Sequence, residues 1–220
     1  MPGNHFRSII FDFDGTLTDS RRDIAGAQLL ALETIGFTGI EEKELYRHIG
    51  KTLQETFAEV LPAAMHDRIP AAAAVYSSIY PERSLLTTTL FPGVRETLSA
   101  LRAAGIELAV ASTKRGVGIR RTTDHFGITD MFVRLQGSDG APFKPDPFIL
   151  NAIIDERGWD RARTVMVGDT DKDILAGKNA GIATCAVTYG SLTRPELRAF
   201  SPDYIIDSFP ALLEITSMPT

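Results

Sequence analysis

The stretch that decides the fold is Ser8-Ile9-Ile10-Phe11-Asp12-Phe13-Asp14-Gly15-Thr16. Its apolar, β-branched opening is too short for a buried helix and is cut off by acids and a glycine. A strand over Ser8–Phe13 is therefore expected. Two carboxylates at i and i+2, Asp12 and Asp14, then stand at its carboxyl end, the edge where open α/β sheets bind ligands. Neighbouring acids repel, so they need a cation or a shared proton. Gly15 allows a sharp turn and a close backbone approach to substrate. The same fragment also suits a solvated Asp-rich turn, because turns favour the same residues.

Working outward, further short apolar runs follow at Glu107–Ser112, Met131–Leu135, Thr164–Gly168, Ala183–Val187 and Tyr204–Ile206. Helical periodicity separates them at Val94–Ala104, Pro147–Arg157 and Ile174–Ala180, with Gly105, Gly158 and Gly181 placed to end these helices in a left-handed residue. Alternation of this kind predicts an α/β fold, a Rossmann-like doubly wound parallel sheet. From about Ser20 to Thr89 the pattern is helical only, at Arg22–Ile35, Glu41–Arg47, Leu53–Val60 and Pro70–Tyr80. The expected organisation is a core of residues 1–18 and 90–220 carrying an inserted helical cap of residues 19–89. Hinges are expected around Thr18–Asp19 and Leu90–Gly93.

The Thr164–Gly168 run also leads into acids, Asp169-Thr170-Asp171-Lys172-Asp173. One of these serves as a helix cap in the plainest reading. A calcium loop is excluded, because it needs glycine and glutamate where Ile174 and Ala180 stand. Oxygen ligands from Asp12, Asp14 and Asp169, completed by water and a phosphate, suit Mg²⁺ instead. Two other strand ends carry Ser112-Thr113-Lys114 and Phe143-Lys144-Pro145-Asp146-Pro147, where Pro145 or Pro147 is expected at the first helical position. Each alone also reads as a turn or a solvated lysine. Gly116-x-Gly118 resembles a dinucleotide fingerprint, but Arg121 occupies the third glycine position.

The composition, 44% hydrophobic and 23% charged over 220 residues, is that of an ordinary globular protein. A net charge of −5 weighs against nucleic acid as partner. No apolar run is long enough to span a bilayer, and the first residues lack the layout of a signal peptide. The single cysteine, Cys185, leaves no partner for an intrachain disulfide and reads as a buried structural thiol. A cytoplasmic protein, monomer or homodimer, without membrane or nucleic-acid partners is expected.

Taken together, Asp12-Phe13-Asp14-Gly15-Thr16-Leu17-Thr18, Ser112-Thr113-Lys114, Lys144-Pro145 and Gly168-Asp169-x-x-x-Asp173 resemble the four motifs of the haloacid dehalogenase-like hydrolase superfamily. Asp173–Gly181 and the helical insertion bring the chain nearest to phosphoglycolate-phosphatase-like members with an α-helical cap. The resemblance implies a Mg²⁺-dependent phosphatase of small phosphate esters. In it Asp12 is the nucleophile and Asp14 the general acid and base. Ser112, Lys144, Thr113 and Gly15 hold the phosphoryl group and nucleophile, while Asp12, Asp169 and the Asp14 carbonyl hold the metal. Asp173 orients ligands. Cations are needed because each unit-charge repulsion between phosphate and carboxylate costs about 4 kcal/mol at roughly 4 Å and an effective dielectric near 20.

An acid at Asp14 separates phosphatases from dehalogenases and phosphonate-cleaving members of this superfamily. Ser112-Thr113 stands where phosphoglycolate phosphatases commonly have Thr-Asn, which leaves the particular ester open. Among cap residues, Arg21, Arg22, Arg47, His48 and Lys51 are the nearest candidates for gripping an anionic leaving group, with Arg47 and Lys51 singled out. A solvated helix face is the plain alternative for each. Inorganic pyrophosphatase and phosphosugar mutase are the enzymatic rivals, and a non-catalytic phospholigand-binding protein is the rival of another class.

Overall fold

The computed structural model describes residues 6–217. The chain divides into two compact units, one of residues Met1–Thr18 and Leu90–Thr220, the other of Asp19–Thr89. The boundaries fall inside two two-residue strands, β2 (Thr18–Asp19) and β3 (Thr89–Leu90).

The larger unit is a six-stranded sheet, β1 (Ser8–Phe11), β4 (Glu107–Ala111), β5 (Arg134–Gln136), β6 (Thr164–Gly168), β7 (Ala183–Val187) and β8 (Tyr204–Ile206). The spatial order is β5-β4-β1-β6-β7-β8, with every neighbouring pair parallel. The order reverses at β1, so the crevice between β1 and β6 is the switch point at which such sheets take ligands.

Side chains alternate across the sheet as a strand's period of two requires. Phe11, Leu108, Val110, Val165 and Val167 face one side, where they pack with α5 (Val94–Ala103), α6 (Gly116–His125) and α10 (Leu212–Ser217) through Leu98, Ile119 and Leu212. Ile10, Ala109, Ala111 and Met166 face the other, against α7 (Phe148–Arg157) and α8 (Asp171–Asn179) through Ile149, Ile153 and Ala176. Helix α9 (Arg194–Ala199) adds Leu197 to a smaller cluster with Ile174 and Ala186. Cys185 is buried and unpaired, and burial pushes its thiol up to about 12, so it packs as an apolar residue.

Several expected boundaries shift. Phe13 lies beyond β1, and β5 begins at Arg134, because Thr129–Met131 forms a 3₁₀ turn from which Met131 and Phe132 pack on the core. Helix α8 starts three residues early, since Thr170 caps it and Asp173 returns a bond to the cap. Pro147 is the cap of α7 rather than its first residue, and Pro145 lies before it. Gly105, Gly158 and Gly181 all adopt positive φ at helix ends, as expected.

The smaller unit holds α1 (Arg21–Thr34), α2 (Glu42–Leu45), α3 (Leu53–Val60) and α4 (Ile69–Arg83) around a core of Ala25, Ala31, Leu32, Leu45, Phe57, Leu61 and Ala72. Helix α4 runs through Pro81 to Arg83, past its expected end at Tyr80. Proline there falls in the last turn, where little helix remains to be broken. Asp23, in the first turn of α1, closes this unit: it accepts the N–H and hydroxyl groups of both Thr87 and Thr88 at 2.7–3.1 Å. Those four donors draw its carboxyl below the ordinary range against the opposing effect of burial.

Candidate active site

The tips of the central strands meet at the ammonium of Lys144. β1 ends at Phe11, but the Asp12 N–H still donates to the Val167 carbonyl at 2.8 Å, which keeps Asp12 against β6. Lys144, on the loop between β5 and α7, donates to Asp12 Oδ1 at 2.6 Å and to Asp173 Oδ1 at 2.5 Å. Its third donor reaches the Ala111 carbonyl at the end of β4, at 3.1 Å. Asp173 is fixed from its other oxygen, which accepts the N–H and hydroxyl of Thr170 at 3.0 and 2.7 Å. One carboxylate thus starts a helix and holds the lysine.

Asp169 follows β6 directly. It accepts the Thr16 hydroxyl at 3.1 Å and the Ser191 N–H at 2.8 Å. It is walled by two glycines: a Cβ on either Gly15 or Gly190 would approach it to 2.3 Å. Gly15 has φ +93 and donates its N–H to the Thr18 carbonyl, so its freedom serves the turn and the room Asp169 needs.

Asp12, Asp169, Asp173 and Lys144 are all at most 5% exposed, and the one ammonium bonds two of the three acids, Asp12 and Asp173. Burial pushes Asp12 well above the usual carboxylate range; Lys144 opposes this, and Asp173 and Asp169 add to it. Asp169 is pushed up to about 6, first by burial and then by Asp173, against the hydrogen bonds from Ser191 and Thr16. Burial alone would lower Lys144, but Asp12 and Asp173 reverse that and hold it above its ordinary range.

The cluster therefore lacks positive charge. One oxygen from each of Asp12, Asp169 and Asp173 lies within 4.8 Å of the others. Hard oxygen donors, close together, buried and short of a counter-charge, fit a divalent cation such as Mg²⁺.

Asp14 stands apart from this trio. Its two oxygens accept from Lys114 Nζ at 3.2 and 3.1 Å, and both side chains are mostly buried. Ser112 is buried, and its hydroxyl oxygen accepts the Lys114 N–H at 3.2 Å. The Thr113 carbonyl accepts the Ser138 hydroxyl at 2.8 Å. Arg47 and Lys51 belong to the helical unit, where Arg47 is exposed and Lys51 donates to Glu59 at 2.6 Å. Arg21 is held by both oxygens of Asp19, at 2.8 and 2.7 Å.

Sequence reasoning missed Lys114, Thr16 and Ser191 as parts of the site. Lys114 lay inside a quoted motif, but a lysine after a strand reads as solvated. Thr16 sits two residues beyond Asp14, and nothing in its spacing points to Asp169, 153 positions on. Ser191 contributes a backbone N–H, which leaves no trace in side-chain identity.

Sheet order, inserted helical unit and buried acid cluster at the switch point define a class, the phosphatases built on a Rossmann-like core. Residues 9–187 match the family model of the haloacid dehalogenase-like hydrolases, and the chain belongs to that family. It is 33% identical over 223 residues to the phosphoglycolate phosphatase of Vibrio vulnificus, covering 98% of each chain. It is 31% identical over 212 residues to the pyrophosphatase PpaX of Halalkalibacterium halodurans, covering 96% of this chain and 97% of that one. A solved haloacid dehalogenase-like family hydrolase from Streptococcus pneumoniae superposes with TM-score 0.87 at 26% identity, covering 96% of this chain and 98% of that one. The protein is a phosphatase of the phosphoglycolate-phosphatase-like branch. Among the described residues no helix is long and apolar enough to cross a membrane.

Proposed function

We propose that the protein hydrolyses a phosphate monoester of a small metabolite, phosphoglycolate-like in size and charge, with Mg²⁺ and through an aspartyl-phosphate on Asp12. The supporting observation is the Lys144 ammonium at 2.6 Å from Asp12 and 2.5 Å from Asp173, with the Asp169 carboxylate beside them. A carboxylate held this way faces phosphorus with its neighbours' charge partly offset.

In the first step an Asp12 oxygen attacks phosphorus, the ester P–O bond breaks, and Asp14 gives its proton to the departing oxygen. In the second, water attacks the aspartyl-phosphate and Asp14 takes its proton. The Asp12–phosphorus bond breaks, releasing phosphate. Ser112 and Lys144 hold the phosphoryl oxygens and the nucleophile, with Thr113 and Gly15 beside them, and Asp173 keeps Lys144 in place against Asp12. Asp12, Asp169 and the Asp14 carbonyl would hold Mg²⁺, which when bound supplies charge to offset that of the phosphoryl group. The helical unit serves as the cap, and Arg47 and Lys51 grip the anionic part of the ester. Pyrophosphate is the second reading, favoured by the likeness to PpaX.

The test is phosphate release from a panel of metabolite esters and pyrophosphate, with Mg²⁺, with EDTA, and with Asp12→Asn. Turnover is expected in the first arm only, Asp12→Asn losing on the order of 10³-fold or more. Turnover by Asp12→Asn within tenfold of wild type would remove the covalent reading.

A further inference from the structure

Lys114 is built into the site more firmly than its motif requires. Its N–H donates to the Ser112 hydroxyl oxygen at 3.2 Å, and its carbonyl accepts the Ser138 N–H at 3.2 Å. Its aliphatic stem lies over Gly118, in the first turn of α6, where an added Cβ would come to 3.3 Å from Cε and 3.5 Å from Cγ. The ammonium then meets Asp14, within 3.2 Å of both oxygens. Lys144, by contrast, spends its donors on Asp12, Asp173 and the Ala111 carbonyl. Lys144 thus holds Asp12 and Asp173, and Lys114 holds Asp14. Gly116-x-Gly118 follows a strand as a dinucleotide fingerprint does; here Gly118 has another use, the floor under a lysine stem.

We propose that Lys114 is a positioning residue for the acid–base carboxylate: seated on Gly118 and tied at its backbone, it fixes where the Asp14 oxygens stand. This rests on the Asp14 role given above. An unrestrained aspartate samples several rotamers, and one salt-bridged through both oxygens samples few. Proton transfer in both steps needs the carboxylate within hydrogen-bond reach of the departing ester oxygen and then of the attacking water. Lys114 touches neither phosphorus nor the transferred oxygen; it acts through Asp14.

The two steps depend on Asp14 differently when the leaving group changes. From p-nitrophenyl phosphate, p-nitrophenolate departs as a stable anion and needs no proton in the first step, whereas the glycolate alkoxide leaving phosphoglycolate does. Loss of Lys114 therefore slows only the second step with the aryl ester, and phosphoenzyme accumulates. With the alkyl ester it slows both steps, turnover falls further, and phosphoenzyme does not accumulate.

The experiment compares wild type, Lys114→Met, Lys114→Arg and Gly118→Ala on both esters with Mg²⁺, following kcat, KM and acid-quenched phosphoenzyme labelled from radioactive substrate. Lys114→Met is expected to lose roughly 10–100-fold in kcat on p-nitrophenyl phosphate, with KM within about threefold and a raised phosphoenzyme level; the loss on phosphoglycolate is larger. Lys114→Arg should recover most of this, because a guanidinium can still bridge both oxygens. Gly118→Ala, which favours the helix and crowds the stem, should show the same pattern at a few-fold scale even if Lys114→Met fails to fold. Equal losses on the two esters, unchanged phosphoenzyme, or a rise in KM at constant kcat would overturn the proposal. Wild type that never acquires label sinks the aspartyl-phosphate reading itself, a separate and recognisable failure.

Discussion

Two aspartates show how the same side chain is used for opposite ends. Asp23 in the helical unit and Asp12 in the core are both 5% exposed. Asp23 is ringed by the N–H and hydroxyl groups of Thr87 and Thr88, and its carboxyl sits below the ordinary range. Asp12 shares one ammonium with Asp173 beside Asp169, and its carboxyl sits well above that range. Neutral donors finish the first as structure. The second is left short of positive charge, the condition expected where a site waits for a cation and a phosphate and gives up stability to do so.

The comparison breaks first at Asp23. Asp23→Ala strands buried donors on Thr87 and Thr88, so unfolding free energy should fall by about 3 kcal/mol. For a chain of this size that is a drop in Tm of roughly 6–12 °C, read by calorimetry. A shift under 2 °C would show that the ring of donors contributes nothing. Because this carboxyl is lowered in the folded state, its contribution is present above the unfolded value and fades as pH falls through the folded one.

Next comes the opposite pH dependence of the core. Asp169 is raised to about 6 from an ordinary 3.8, so the folded protein binds the proton more tightly than the unfolded chain. Without metal, this group's stability is full below about pH 4 and is lost as pH rises through 6, on the order of 3 kcal/mol at about 1.4 kcal/mol per pKa unit. Added Mg²⁺ should restore it, with a larger gain in Tm at pH 7 than at pH 4. Equal gains at both pH values would mean that the carboxylates are not what the ion binds.

A smaller effect of reversed sign is expected at the nucleophile. Asp12→Asn removes one of three crowded acids while leaving an oxygen for Lys144, so the metal-free variant should gain about 1–2 kcal/mol. Chemical denaturation measures this directly, and a loss of stability would show that Asp12 belongs with Asp23 as a structural anchor.

How much of this was legible in the sequence follows from what each element needs. Strands buried on both faces must be continuous apolar runs, so β6 and β7 were bounded to the residue. The edge strand β8 also kept its expected bounds, but β5 is only three residues long because Met131 and Phe132 satisfy the core from a turn. Asp12 and Asp169 stood out because each directly follows a buried strand, whereas Asp173, inside α8, and Lys144, on a loop, stood out through the motif resemblance. What pins Asp169 was not legible, since the Ser191 N–H carries no side-chain signature and a glycine such as Gly190 does not announce the side chain packed against it. The Asp14–Lys114 pair joins residues 100 positions apart, and spacing alone does not announce such a partner.

The smallest effect is expected at the one cationic residue of the helical unit that is both singled out for specificity and visibly paired. Lys51 donates to Glu59 at 2.6 Å, but the two side chains are 29% and 50% exposed. Water screens such a pair, and holding two long side chains in one geometry costs entropy, so Lys51→Ala should lower stability by less than about 1 kcal/mol. A double-mutant cycle with Glu59→Ala measures the coupling; a value above about 2 kcal/mol would place this pair with Asp23 rather than at the solvated extreme. The near-neutrality has a use. If Lys51→Ala leaves the fold intact, any change in the ranking of esters in the substrate panel reports a lost substrate contact and not a damaged helix. An unchanged ranking for the Arg47→Ala, Lys51→Ala double variant would remove both residues from the specificity assignment.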